Sequence, residues 1–338
     1  MNLREDAQAP DNNLPSRRDF LKTCGISLAG LAAASTVCAA EDRSSTPRFL
    51  TQWGKRGKAE GEFDIAIGLA INRHDELFTT EFRNNRVQKF DKNGKLLAVF
   101  PVHEYPGGIA VDHDGNIYVA HLMSGIVTVM DKNGKIIRDW GKSGTADGDL
   151  QQPGGIAIGR DGNLYIADQV NRRVQKFTPE GKFLLTWGEY GVGIGQFGGN
   201  ENRPNRTGGP NFIAIDRHGD IYTTEASVGR VQKFTPEGKY ILSWGDNTGG
   251  PGGFGGRPKN LPGPIGICVD KQERIWVSAT NHRVQQFTKE GKFLRGFGTK
   301  GSEPGQFTTP HCMVVDSHGD LYVCDTQNAR IQKFDIRT

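Results

Sequence analysis

One unit is written six times along this chain, and that repetition narrows the folds open to it more than any other feature. The copies read IGLAINRHDELFTTE (67–81), GGIAVDHDGNIYVAH (107–121), GGIAIGRDGNLYIAD (154–168), NFIAIDRHGDIYTTE (211–225), IGICVDKQERIWVSA (265–279) and HCMVVDSHGDLYVCD (311–325). Each joins a short apolar run to a second run rich in β-branched and aromatic residues across a polar turn, the pattern of a tight antiparallel hairpin. A third strand follows at NRVQKF (85–90), RRVQKF (172–177), GRVQKF (229–234), HRVQQF (282–287) and ARIQKF (329–334). An Asn-Gly or Glu-Gly turn then leads to a fourth, as in KFLLTWG (182–188) and KYILSWG (239–245). One four-stranded sheet cannot bury both of its faces, so such units must stack. Radial stacking predicts an all-β, six-bladed β-propeller of four-stranded antiparallel blades. The sixth unit stops after its third strand, and RFLTQWG (48–54) reads as a fourth strand without a unit of its own. The N-terminal strand is therefore expected to complete the last blade.

Residues 1–40 do not belong to the repeat. Ser16-Arg17-Arg18-Asp19-Phe20-Leu21-Lys22 precedes a small apolar stretch from Gly25 to Val37, and small residues end it at Ala39 and Ala40. A charged segment, a short apolar segment and a small-residue cleavage site describe a secretory signal. The paired arginines before Phe-Leu-Lys resemble the bacterial twin-arginine export signal. The expectation is an export signal over 1–40 and a propeller over 41–338, with the mature chain periplasmic or secreted. No window reaches the ~18 consecutive apolar residues of a membrane span. A net charge of +4 is too mild to imply a nucleic-acid partner. A closed ring needs no second chain to fold, which predicts a monomer. Beyond residue 40 the cysteines are Cys268, Cys312 and Cys324, all in strand-like runs where a thiol behaves as a small buried hydrophobe. Cys312 and Cys324 fall in one hairpin but not opposite each other, so three free thiols are expected.

The repeat resembles the NHL family, with Asn281-His282-Arg283 and Asn171-Arg172-Arg173 as the nearest versions of the naming tripeptide. The resemblance covers the chain beyond residue 40 and implies the propeller scaffold. It also implies a chemistry, because the peptidyl-hydroxyglycine amidating lyases of this type hold zinc in the channel with three histidines on Pro-His openings of alternate blades. Here Thr309-Pro310-His311 matches, whereas Gly107 and Asn211 stand at the other two positions. One imidazole does not make a tetrahedral zinc site.

The residue opening each innermost strand lies nearest the channel: Ile67, Gly107, Gly154, Asn211, Ile265 and His311. The face that carries them, together with the loops into each next blade, is the top face. Second strands end on the same face at Glu81, His121, Asp168, Glu225, Ala279 and Asp325. His311, His121 and Glu225 come from alternate blades and form a candidate set for zinc or iron, and the many carboxylates and carbonyls of the channel also suit calcium. A metal-free alternative makes His311 a general base oriented by Asp325 of its own blade. The competing reading of the carboxylates is structural: Arg86, Arg173, Arg230 and Arg330 each follow an acid by five residues and can tie the turn between them. Blade two breaks that pattern, with His121 followed by Ile126. His74, His113, His218 and His318 fall at turns on the opposite face and are expected to be solvated.

Two glycine-rich insertions, 188–210 and 245–264, are expected to rise over the top face around blade four, where long loops on a rigid scaffold often bind ligands. With Asn211 they contribute Tyr190, Arg203, Arg206 and Arg257 as candidate ligand contacts; the plainer reading makes them connectors with the Gly-x-Phe element found in the other loops. Two functions follow from this. One is a binding module that grips a protein, peptide or glycan on its top face. The other is a metal-dependent lyase or hydrolase working at the channel mouth.

Overall fold

The structure, a computed structural model, describes residues 46–198, 208–246, 248–255 and 263–337, so the expected export signal and its boundary at residue 40 lie outside the described residues. Blade one is β2 (Ala66–Ile71), β3 (Leu77–Glu81), β4 (Arg86–Phe90) and β5 (Leu96–Pro101). Blade two is β6 (Pro106–Val111), β7 (Ile117–His121), β8 (Ile126–Met130) and β9 (Ile136–Gly141). β10 (Pro153–Ile158), β11 (Leu164–Asp168), β12 (Arg173–Phe177) and β13 (Phe183–Trp187) make blade three. Blade four holds β14 (Ile213–Ile215), β15 (Ile221–Glu225), β16 (Arg230–Phe234) and β17 (Tyr240–Trp244). Blade five holds β18 (Pro264–Val269), β19 (Ile275–Ala279), β20 (Arg283–Phe287) and β21 (Phe293–Phe297).

Blade six is completed as the sequence predicts. β22 (Pro310–Val315), β23 (Asp320–Asp325) and β24 (Arg330–Asp335) are joined at the outer edge by β1 (Arg48–Trp53), in the order β1-β24-β23-β22. β1 runs antiparallel to β24 with Phe49 opposite Phe334 and Trp53 opposite Ile331. The innermost strands pack side by side around the ring, and β22 meets β2 to close it.

The recurring Arg-Val-Gln-Lys-Phe strand can be read residue by residue. Alternate side chains face opposite sides of a strand, so Val174 and Lys176 face one neighbouring blade while Arg173, Gln175 and Phe177 face the other, with Val174, Gln175 and Phe177 each at 0% exposure. Lys176 Nζ lies 2.7 Å from Asp161 and 4.9 Å over the Tyr165 ring. Lys233 repeats this with Asp220 and Tyr222, and Lys333 with Asp320 and Tyr322.

Blades are joined through an aromatic residue of the outer strand. Trp53, Trp140, Trp187 and Trp244 each pack on a residue of the following blade's third strand, Phe90, Phe177, Phe234 and Phe287, at 5.0–6.0 Å between centroids. The same rings lie against the hairpin-turn glycine of that blade. A Cβ at Gly181 would come within 2.4 Å of Trp140, and Gly181 also holds a φ of +92°, so only glycine meets both demands.

On the bottom face two of the turn histidines, solvated as expected, also reach a carboxylate of the next blade. His318 Nδ1 lies 3.1 Å from Asp75 of blade one, whose carboxylate also accepts from the Ser317 hydroxyl at 2.6 Å. His218 Nε2 lies 3.1 Å from Glu273 of blade five, beside Arg217 Nε at 2.7 Å. These contacts span blade seams, one of them the closing seam. The three cysteines are buried and free, as expected.

A chain beginning at residue 55 loses β1, uncovers the edge of β24 and strips Trp53 from blade one. Its urea unfolding free energy should fall by more than about 3 kcal/mol, with self-association visible on size exclusion.

Candidate functional site

Four of the second-strand acids on the top face are fully buried and consumed by their own blades. Glu81 accepts from Arg86 Nε and Gln88 Nε2, each at 2.6 Å, and from Asn84 Nδ2 at 2.6 Å. The remaining nitrogens of Arg86 fork onto the carbonyls of Lys58, Ala59 and Glu62 in the loop entering the blade. Asp168–Arg173–Gln175, Glu225–Arg230–Gln232 and Asp325–Arg330–Gln332 repeat the arrangement. Burial raises the pKa of Asp168 and pushes Glu225 up to about 7, against the pull of the arginine beside each. The structural reading of these carboxylates therefore holds.

Blade two departs from this pattern, and the structure supplies the reason. Its entering loop runs only over 102–105 and has no Gly-x-Phe element for an arginine to grip. His121, at 0% exposure, takes the acid's place. Its Nδ1 faces the Glu104 carbonyl at 3.1 Å and its Nε2 faces Thr128 Oγ1 at 3.0 Å. Thr128 donates to Asp139 Oδ1 at 2.6 Å, and Asp139 Oδ2 meets His103 Nε2 at 2.9 Å. Burial pushes the His121 pKa down to about 4, although its bond to the Glu104 carbonyl opposes the shift. The Thr128 hydroxyl, hydrogen-bonded to both neighbours, links the histidine to the carboxylate.

His311 sits where the sequence places it, at the channel. The register of β22 against β23 shifts between Pro310 and Met313 and turns His311 out of the ladder. Its Nδ1 lies 3.3 Å from the Ile67 carbonyl, and Phe212 of blade four meets its ring edge-on at 5.1 Å. The surrounding protein pushes its pKa down to about 4, so the ring is neutral at pH 7. Asp325 does not orient it. That carboxylate is engaged by Thr308 N, Asn328, Arg330 and Gln332 within its own blade.

The candidate metal set is not assembled. Among the described residues no three His, Cys, Asp or Glu side chains converge as a metal site. His121 and Glu225 are spent inside their blades, because a residue ending a second strand faces the third strand rather than the channel. Among the described residues the side chains therefore fit neither the implied zinc nor an iron site.

Of the candidate ligand contacts, Asn211 lies at the channel ring with Nδ2 3.4 Å from the Pro264 carbonyl. Tyr190 is exposed on the top face with Arg172 over its ring at 5.6 Å. Arg203, Arg206 and Arg257 lie outside the described residues. The described part of the first insertion is an ordinary connector: Tyr190 bridges Phe197 as Lys300 bridges Phe307, and Arg230 forks onto its Val192, Gly193 and Gln196 carbonyls.

A top-face cavity of about 420 Å³ opens between blades two and three, lined by Leu122, Met123, Ser143, Gln151, Gln152 and Val170. None of these side chains is charged. Sequence reading missed it, because its walls come from turns of two different units; the exposed Met123, where blades one, four and six carry Arg83, Ser227 and Gln327, was the available signal.

The NHL repeat model matches residues 150–177 and 307–334, which span the entering loop and first three strands of blades three and six. The chain is an NHL-repeat six-bladed β-propeller. The propeller is distantly similar to the peptidylglycine alpha-amidating monooxygenase of Rattus norvegicus, 30% identical over 38% of this chain and 14% of that protein. A Caenorhabditis elegans protein named as a peptidyl-alpha-hydroxyglycine alpha-amidating lyase is 24% identical over 37% of this chain and 36% of its own length. The matched segment is thus a small part of the monooxygenase. Among solved structures, the virginiamycin B lyase of Staphylococcus aureus superposes with a TM-score of 0.54 at 17% identity, covering 81% of this chain and 85% of that one. A Bacteroides thetaiotaomicron protein reaches 0.67 at 16% identity, over 86% and 76%. At such identities the structural likeness is one of fold.

His121 gives the propeller a pH dependence of known sign. Its folded pKa lies below the ordinary 6.5, so the unfolded chain binds that proton more tightly. The stability owed to neutral His121 is complete above about pH 6.5 and is lost as pH falls toward about 4, by roughly 3 kcal/mol. Urea titrations at stepped pH should show this loss in the parent chain and a shallower slope in His121→Gln, with His311 supplying the remainder.

Proposed function

We propose that this propeller is a binding module whose top face takes a peptide or an extended protein segment through apolar side chains. The uncharged cavity at the seam of blades two and three carries this reading. Met123 on its rim is 60% exposed, and the loop entering blade four carries two further exposed apolar side chains on the same face, Val192 at 62% and Ile194 at 71%. Solvated apolar loop tips on a rigid ring gain free energy when a partner covers them. The buried acids and arginines of the same face are tied into the blades and are not available to fix an ionic substrate. In line with the twin-arginine reading of residues 16–22, we place this module in the periplasm or outside the cell.

The second reading, a lyase or hydrolase, rests on His311. A neutral imidazole at the channel ring is able to accept a proton, and the relatives named as amidating enzymes favour the idea. Against it stand the unassembled metal set and the engagement of Asp325 elsewhere.

Panning a displayed random-peptide library on the mature chain tests the first reading. Enriched peptides should carry apolar anchors, and Val192→Asp with Ile194→Asp should weaken their binding at least tenfold while shifting stability by less than about 0.5 kcal/mol. Enrichment of purely ionic peptides, or binding unmoved by the double variant, would overturn it. His311→Ala separates the two readings: loss of turnover on a hydroxyglycine-extended peptide at unchanged thermal stability favours the enzyme, whereas unchanged peptide capture favours the module.

A further inference from the structure

We infer that the bottom face holds a second site, a receptor for a small carboxylate at the seam of blades one and two. The argument starts from the turn between first and second strands, which reads Asn72-Arg73-His74-Asp75 in blade one and Asp216-Arg217-His218-Gly219 in blade four. The same Arg-His pair thus faces the next blade at two seams. At the seam of blades four and five it grips a carboxylate that the protein itself supplies: Glu273, only 6% exposed, lies 2.7 Å from Arg217 Nε and 3.1 Å from His218 Nε2. Glu273 occupies the left-handed position of its turn, at φ +60°.

At the seam of blades one and two the equivalent position is Gly115, at φ +89°, and no acid is supplied from it. The pair is nevertheless arranged as in blade four. Arg73 Nε lies 3.2 Å from His74 Nε2, where Arg217 Nε lies 3.5 Å from His218 Nε2. Arg73 Nη1 reaches His113 Nε2 of blade two at 3.5 Å, and among the described residues Arg73 has no carboxylate partner. A cavity of about 220 Å³ opens at this seam, lined by Arg73, His74 and His113 with Lys89 and Lys132. Its acids do not fill the vacancy. Glu76 is paired with Lys89 at 2.8 Å, and Asp112 is spent on its own turn, accepting from Asn116 and Tyr118. Asp114 stands 87% exposed, 3.8 Å from the other ring nitrogen of His113.

The two imidazoles accept from Arg73 Nε and Nη1 and hold the guanidinium in place, and its remaining N–H groups present a planar donor edge matched to a carboxylate. The cavity has room for about seven waters at ~30 Å³ each, which suits a ligand the size of succinate. A free small acid and a glutamate side chain of another protein present the same group, and the size of the recess favours the free acid. This site lies on the face opposite the uncharged cavity and does not depend on the function proposed for that cavity.

The test is a titration of the full mature chain, labelled on its histidine rings, with acetate, with succinate and with a tetraglutamate peptide, followed by NMR. Succinate should shift the His74 and His113 signals saturably, with a Kd below about 10 mM. The peptide should not compete. Arg73→Gln should weaken binding at least tenfold. Gly115→Glu supplies the missing internal carboxylate at a position where an added Cβ meets only Lys132 Cβ, at 3.1 Å; it should abolish succinate binding while thermal unfolding remains cooperative. Shifts that sodium chloride reproduces, or succinate binding unchanged in Arg73→Gln, would overturn the proposal. Competition by the peptide would replace the free acid with a protein ligand.

Discussion

The ring depends on a buried ionic clamp between one blade and the loop that enters it. In blades one, three, four and six an acid at the end of the second strand holds the Nε edge of an arginine on the third. That leaves the arginine's terminal nitrogens to collect carbonyls of the preceding loop. Arg330, for example, takes the Ser302, Glu303 and Gln306 carbonyls while Asp325 neutralises it. Gln332 binds the same Gln306 carbonyl and accepts from Gly305 N, whose φ of +79° presents that N–H inward. Removing one partner of such a pair strands a buried charge and costs about 3–5 kcal/mol, so the clamp is under strong structural constraint whatever the protein binds.

This constraint decides which top-face residues are free for function. A charged side chain with all its hydrogen bonds made inside a blade has little to offer a ligand. Outside the clamps the top face offers Met123 and its uncharged cavity, the apolar loop tips at Val192 and Ile194, and the channel ring where Phe212 lies against His311, beside solvated surface charges such as Lys58 and Lys142. Blade two is free of the clamp because its entering loop is too short to need one. Its His121–Thr128–Asp139–His103 chain fills the same volume with side-chain hydrogen bonds in place of a buried arginine clamp.

The architecture was legible because each repeat carries its own evidence. Alternation in Arg-Val-Gln-Lys-Phe, glycine at the turns and an unpartnered strand at 48–54 are all local signals, and the ring follows from repeating them. The candidate site was less legible because its contacts join different units. Nothing near His318 in sequence announces Asp75, which is 243 residues away. His121 was visible as a break in the pattern, but the cause, a missing loop rather than a metal, became visible only with the loop in place. One signal was present and passed over. Asp75 and Glu273 stand at a turn position that is glycine in the other four units, and a non-glycine residue held at positive φ is a reason to look for a partner.

Departures from the repeat are thus of two kinds, and the distinction bears on where function resides. Asp75 and Glu273 depart by adding a group that a neighbouring blade immediately uses, and the seam is closed. Gly115 keeps the common glycine beside an Arg-His pair that elsewhere grips an acid, and Met123 exposes an apolar side chain that its own blade leaves uncovered. In both of these the fold presents half of an interaction. A propeller held together by satisfied clamps shows its binding capacity where satisfaction fails, and here that happens on both sides of blade two.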